Sequence, residues 1–363
     1  MAAPEREIVG VNLRGVAGHE WDITAVDTSN DVVTIDISEL NQDITQVLSS
    51  GDTIEIEDST GNDGSYDISS VTDNGDGTAD VTLSSSISDS TADGILVYRL
   101  QIPGETDAEL SKNYGNIDTR DKDTGFWGDQ LPGRREWDAS ADILHTESDG
   151  AHEAPFNDIV KLEVTVGGTT YKAKGLDELS LTFTAETDPV AGFEDPKWRF
   201  LRVAGQSMEI STSGSYFDPE SDAGEFYDKL KQEAQAGNAI TFTLTFAGLT
   251  FEGDLRPSDW TITAPADNSR ATFDWTFTES GPTTFSGSID TGLDLLISAW
   301  FNRDHAHLLM EQTNDDGTRR TGSTRYSGKA VIEELGFEAS TDSPLTHSYS
   351  FAGDGKLDEK VQA

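Results

Sequence analysis

The 363-residue chain has no cysteine, only 25 Lys and Arg against 67 Asp and Glu, and no apolar run long enough to cross a bilayer. The absence of cysteine excludes disulfide scaffolds, thiolate zinc sites and Cys nucleophiles together. A formal charge of −42 argues against any role built on binding nucleic acid or anionic membranes, because that affinity comes from Lys and Arg displacing counterions. The most apolar stretch, Leu293 to Phe301, is short and carries Asp294. The first residues, Met1 to Glu7, contain no apolar segment of signal-peptide type, so the expectation is a soluble protein made and used without the secretory pathway.

What is present is core-forming material: 35% hydrophobic residues, 7 Trp and 16 Phe, more than a disordered acidic chain carries. The 41 Asp and 26 Glu are spread throughout, and Lys (11) is scarcer than Arg (14). Like charges repel over a Debye length of about 8–10 Å at ordinary ionic strength but only about 3 Å at molar salt. The composition therefore points to adaptation to a salt-saturated cytoplasm or brine, with an acidic mesophilic protein as the other reading.

Alternating runs dominate, among them Val32 to Ile37, Lys161 to Val166, Leu179 to Thr184, Ile240 to Phe246 and Thr272 to Phe277. Period two with β-branched and aromatic residues predicts antiparallel strands with one buried face. Only two segments carry a helical spacing: Gly224 to Ala236, with Phe226, Leu230 and Ala234, and Leu293 to Phe301, with Leu293, Ile297 and Trp300. The fold class expected is mainly β.

The chain repeats itself. Glu109-Leu110-Ser111 through Trp127, Gly133 and Trp137 to Ser140 aligns with Glu178-Leu179-Ser180 through Trp198, Gly205 and Met208 to Ser211. The helix and strands from Gly224 to Gly281 align with those from Gly292 to Gly355. Because the order is first half, first half, second half, second half, the simplest topology nests one copy (156–285) inside the other (95–155 and 286–357); a swap between first halves is the other topology that fits. Residues 20–94 carry short strands and turn signals such as Asp73-Asn74-Gly75-Asp76-Gly77, and predict a small barrel-like module. Residues 1–19 would be an arm and 358–363 a tail.

No enzymatic chemistry stands out. With 67 acids, carboxylate pairs occur at any spacing by chance. His305-Ala306-His307 could offer two metal ligands on one strand face but lacks a defined third. The Asp-rich turns at 73–77 and 314–317 lack the ligand positions of a calcium loop. No nucleophile elbow, phosphate loop or dinucleotide fingerprint is present, and no cofactor is expected. The distinctive feature is instead a long polar loop in each copy, Asp118 to Arg135 and Glu186 to Arg202, in which scarce cations collect beside a Trp. These loops supply the candidate contact residues: Arg120, Lys122, Asp123, Trp127, Arg134 and Arg135 in the first, and Pro189, Lys197, Trp198, Arg199 and Arg202 in the second.

At these residues the sequence resembles a family. Asn116 to Trp127, followed by Leu131-Pro132-Gly133 and Glu136 to Ser140, is similar to the pattern of tail tube (major tail) proteins of long-tailed, non-contractile viruses. The second copy keeps Trp198, Gly205 and Ile210-Ser211 but has Asp188-Pro189-Val190 in place of the Lys-Asp run. The resemblance implies two β-sandwiches, each flanked by one helix, with the 20–94 module projecting outward. It implies a structural virion protein whose three copies close a pseudo-sixfold ring, with rings stacking through the long loops into a tube. Tail terminator, distal tail and tape measure proteins would be its partners, and viral DNA would pass through the lumen unbound. Other virion β-proteins (distal tail or capsid decoration) and a haloarchaeal surface or adhesion module remain open.

Overall fold

The computed structural model describes residues 12–38, 40, 42–101, 105–118, 130–144, 160–190, 198–216, 224–264, 270–287, 291–313, 322, 324–341 and 345–361. Among these the chain is mainly β, with 20 strands and three helices.

The N-terminal module starts from one long strand, β1 (Asn12–Asp27), whose second half pairs with β2 (Val32–Asp36). A short helix α1 (Ile44–Val47) follows, then β3 (Thr53–Glu57), β4 (Gly64–Asp73), β5 (Thr78–Leu83) and β6 (Ile95–Gln101). Asp43 caps α1 by accepting from the Thr45 backbone N–H at 2.9 Å. The pairings β1–β2, β2–β5, β5–β4, β4–β3, β3–β6 and β6–β1 close on themselves around Val33, Ile35, Ile54, Val81 and Leu96. The Asp73 to Gly77 turn joins β4 to β5, with Gly75 and Gly77 at positive φ.

Of the arm expected over residues 1–19, residues 1–11 lie outside the described residues and the rest is strand. Asn12 to Gly18 pair with β17 (Ala306–Thr313), far along the chain. Residues 306–310 of β17 are buried throughout, and β1 pairs along their edge before turning into the module.

Two further strands, β7 (Glu105–Asp118) and β8 (Gln130–Leu144), form a long hairpin. Then comes a self-paired unit: β9 (Val160–Val166), β10 (Thr169–Lys172), β11 (Leu176–Val190), β12 (Phe200–Ser215), helix α2 (Glu225–Ala236), β13 (Ile240–Phe246), β14 (Leu249–Thr263), β15 (Thr272–Glu279) and β16 (Thr284–Ser286). β14 serves two sheets, since Leu249–Leu255 pairs with β13 and Leu255–Thr263 with β15. One sheet therefore reads β10–β9–β13–β14 and the other β14–β15–β12–β11. α2 buries Phe226 and Leu230 against them and ends at Gly237, whose φ of 70° lets the chain leave in the left-handed conformation.

The chain then completes the first unit with helix α3 (Thr291–Asn302), β17, β18 (Thr324–Ser340), β19 (Thr346–Gly353) and β20 (Asp358–Val361). α3 buries Leu293, Ile297 and Trp300, and its Leu295 enters the module core. β18 repeats the role of β14: its first part pairs with β17 and its second with β19, which pairs with β8, which pairs with β7. A bulge falls at the same step in both long strands, between Ile332 and Glu334 and between Pro257 and Asp259. Strand for strand, β1, β6, β7, β8, α3 and β17–β20 repeat β9, β10, β11, β12, α2 and β13–β16.

The register differs from the sequence alignment by two residues. Leu110 faces Ala139 and Ala139 faces Phe351, whereas in the other unit Leu181 faces Ile210 and Ile210 faces Phe277. Leu110 is thus the counterpart of Leu181, not of Leu179.

Candidate functional site

The two repeated units meet edge to edge. β11 pairs antiparallel with β18 from Glu178↔Ser340 to Thr184↔Glu334, so their sheets fuse into one of eight strands, β14–β15–β12–β11–β18–β19–β8–β7. On its inner face Leu179, Leu181 and Phe183 lie beside Ala339, Phe337 and Leu335, all buried. Phe183 is the hub: its ring centroid is 5.4 Å from Phe251, 5.0 Å from Trp300, 5.5 Å from Phe301 and 6.1 Å from Phe337.

The opposite face of the same sheet follows from period two. Its rows read Glu109, Ser140, Ser350, Glu334, Thr184 and then Asp142, Ser348, Gly336, Thr182, Glu209, Thr278. A third row is Thr346, Glu338, Ser180, Ser211, Thr276, Asp259. Gly336 apart, these side chains are carboxylates and hydroxyls. Among the described residues of the rows, the one cation is Arg256, beside Thr278 at the margin. Such a face repels a polyanion and, Arg256 at its margin aside, offers it no ion pair.

The candidate contact residues divide. Arg120, Lys122, Asp123, Trp127 and Lys197 lie outside the described residues. Arg134 and Arg135 belong to strand β8 rather than to a loop, Pro189 to β11 and Arg202 to β12, because the hairpin strands run further than their apolar alternation indicates. Arg134 is exposed, and exposed Arg202 lies 3.9 Å from Asp188. Trp198 and Arg199 contact this chain's own first unit. Trp198 is buried under the Arg135 guanidinium, 5.7 Å from the ring centroid, and the Arg199 N–H donates to the Arg135 carbonyl at 3.1 Å. The Arg199 side chain reaches Glu136 at 3.6 Å and Asp138 at 3.2 Å. Next to them Leu201 packs on Val331 and Ala352, and its N–H donates to the Asp354 carboxylate at 2.6 Å. The start of β12 therefore acts as a clasp between units. Beneath it Trp137 lies fully buried against Gly328 and Gly353, where no Cβ would fit, and its indole N–H donates to the Gly355 carbonyl at 3.3 Å.

A polar cavity of about 140 Å³ sits where the module joins the first unit, lined by His19, Glu20, Asp22, Asp36, Asp304, His305, His307 and Lys329. His305 and His307 have different partners. His307 Nε2 lies 2.6 Å from the Glu20 carboxylate, while His305, just before β17, lies 2.9 Å from Asp354. His19, buried and stacked on Trp21, is held down at about 4 by burial and by the neighbouring His307. Burial pushes the Glu20 carboxyl up, but the hydrogen bond and charge of His307 outweigh it and leave the carboxyl below its ordinary range. Among the described residues no group of three His, Asp or Glu is placed to hold a metal ion. Arg325 and Glu57, both largely buried, form an ion pair that further ties the module to β18.

No family model and no curated protein matches the chain. Among solved structures, it is similar over 36% of its length to a chain of the virion of a native gene transfer agent particle (18% identity, 97% of that chain, TM-score 0.32). It is likewise similar to a chain from the tail of an empty gene transfer agent particle with C6 symmetry (20% identity, 36% of this chain, 97% of that chain, TM-score 0.31). A third likeness is to the SPP1 tail tube (14% identity, 36% of this chain, 78% of that chain, TM-score 0.28). Likenesses of this size concern about a third of the chain and do not define its family.

Proposed function

We propose that the chain is a structural virion protein that assembles from copies of itself into the tube of a viral tail. The observation that carries this reading is the eight-stranded sheet, buried on one face and lined with hydroxyls and carboxylates on the other. A wall of that chemistry suits a channel through which DNA slides without adhering: its carboxylates repel phosphate, its hydroxyls are neutral, and its cation, Arg256, stands at the margin.

In this reading each chain supplies two equivalent wall segments, residues 156–285 and the discontinuous 95–155 with 286–357, and three chains close a ring of six. The module of residues 20–94 lies on the outside, tied down by the Arg325–Glu57 pair and by α3. Rings stack head to tail, an open assembly that tail terminator and distal tail proteins would end. The brine-adapted composition makes assembly depend on salt, since subunits at −42 approach one another only when screened.

Negative-stain microscopy of the purified chain in molar salt tests the reading. Hollow filaments or stacked rings are expected; monomers under every salt condition would refute it.

A further inference from the structure

Each end of the eight-stranded sheet is an unpartnered edge among the described residues, and the two edges are counterparts of the strands that already pair inside the chain. β7 is the counterpart of β11, and the second part of β14 is the counterpart of the second part of β18. From this we infer that β7 of one copy pairs with β14 of a second copy in the register that β11 and β18 show internally. The inference rests on the self-assembling reading above and names its ring contact.

The register transfers residue by residue. Leu110 stands for Leu181, and the shared bulge makes Ile262 the counterpart of Phe337 and Trp260 that of Leu335. Leu181 faces Phe337 and Phe183 faces Leu335 within the chain. Between chains, Leu110 then faces Ile262, Ser111 faces Thr261, Lys112 faces Trp260, and Glu109 faces Thr263.

Exposure agrees with this assignment. At the internal seam Leu181, Phe183, Leu335 and Phe337 are all 0% exposed. Their counterparts Leu110, Lys112, Trp260 and Ile262 are only half-buried, although each of the three apolar ones packs on the core. A long edge strand with apolar residues on one face is a template for another strand, and a second copy is the partner whose edge has the matching pattern.

The two kinds of seam differ in chemistry. Where the internal one places Phe183, the edge has Lys112, whose ammonium is paired with Glu359 and lies 4.9 Å from the Tyr326 ring centroid. Its aliphatic stem is left to lie against the edge of the neighbour's Trp260, whose ring stacks on Trp275 at 5.7 Å and carries the Lys231 ammonium at 5.4 Å within its own chain. Around a ring of three chains, apolar seams would alternate with more polar ones, and the polar seams are where a ring opens.

Because the chain lacks cysteine, paired cysteines report the register cleanly. The variant Ser111→Cys/Thr261→Cys, oxidised in molar salt and run unreduced, is expected to give covalent dimers and trimers and no larger species. Ser111→Cys/Thr263→Cys, two residues out of register on the same face, is expected to stay monomeric, because disulfides form only over a narrow Cα separation. Equal linkage in both variants, or filaments in which Ser111→Cys/Thr261→Cys never links, would overturn the register while leaving the tube reading standing. A ladder running past trimer would overturn the three-chain ring. Trimers in register without any filament would support the seam and refute the tube.

Discussion

Replacing Phe183 by Ala should loosen the joint between the two repeated units. The ring is fully buried and touches residues from three places: Phe251 on β14, Trp300 and Phe301 on α3, and Phe337 on β18. Phe→Ala in a packed core costs about 3–5 kcal/mol, and ring pairs contribute about 0.5–1.5 kcal/mol each beyond area burial. With four ring neighbours spread over both units, collapse around the cavity is restricted, so the upper half of that range is expected. At a urea m-value of about 3 kcal/mol/M this lowers the midpoint by about 1.3–1.7 M. The assay is urea unfolding in molar salt followed by Trp fluorescence, with Lys112→Ala as the comparison. Lys112 occupies the same place in the repeat but on the open edge, so its loss should cost the isolated subunit no more than about 1 kcal/mol. Equal shifts for the two variants would refute the claim that β11 is an internal seam and β7 a free edge.

Two other tests follow from charge. His19 is held neutral in the fold at about 4 and titrates near 6.5 when unfolded, so below pH 6.5 the unfolded chain takes up a proton that the folded one refuses. Stability should therefore fall as pH drops from 6.5 to 4, with a contribution from this group of about 3 kcal/mol at the lower end. His19→Phe, which keeps the stack on Trp21, should lack that contribution; parallel stability curves for the two proteins would show His19 is not the cause. Dilution from molar to low salt should dissociate assemblies, read by light scattering, before Trp fluorescence reports unfolding. The reverse order would mean the acidity acts on the fold rather than on the contacts between subunits.

The strands and the two helices are legible in the chain because each rests on local spacing. The alternation of Ile240 to Phe246 and the i, i+4 spacing of Phe226 and Leu230 dictate which face is buried whatever lies opposite. The register of the duplication is not legible in the same way. Leu110 matches Leu179 and Leu181 equally well by pattern, since a slip of two residues leaves every side chain on its own face. Only the partners across the sheet, Ala139 and Phe351 for one copy and Ile210 and Phe277 for the other, fix the match.

The contact loops show the same limit from the other side. Composition marks Trp198 and Arg199 as contacts to another subunit, whereas within the chain they meet Arg135, Glu136 and Asp138, about sixty residues earlier in sequence. The first strand is a comparable case, since nothing near Asn12 to Gly18 indicates that β17 will pair with it.

By itself, then, the sequence determined what is set by neighbours a few residues apart: a mainly β chain, two of its helices, and the faces that its strands bury. Tertiary structure alone decided which edges are joined and which stay open. A strand's hydrogen-bonding edge is backbone, the same in every residue, and only packing against distant side chains selects its partner.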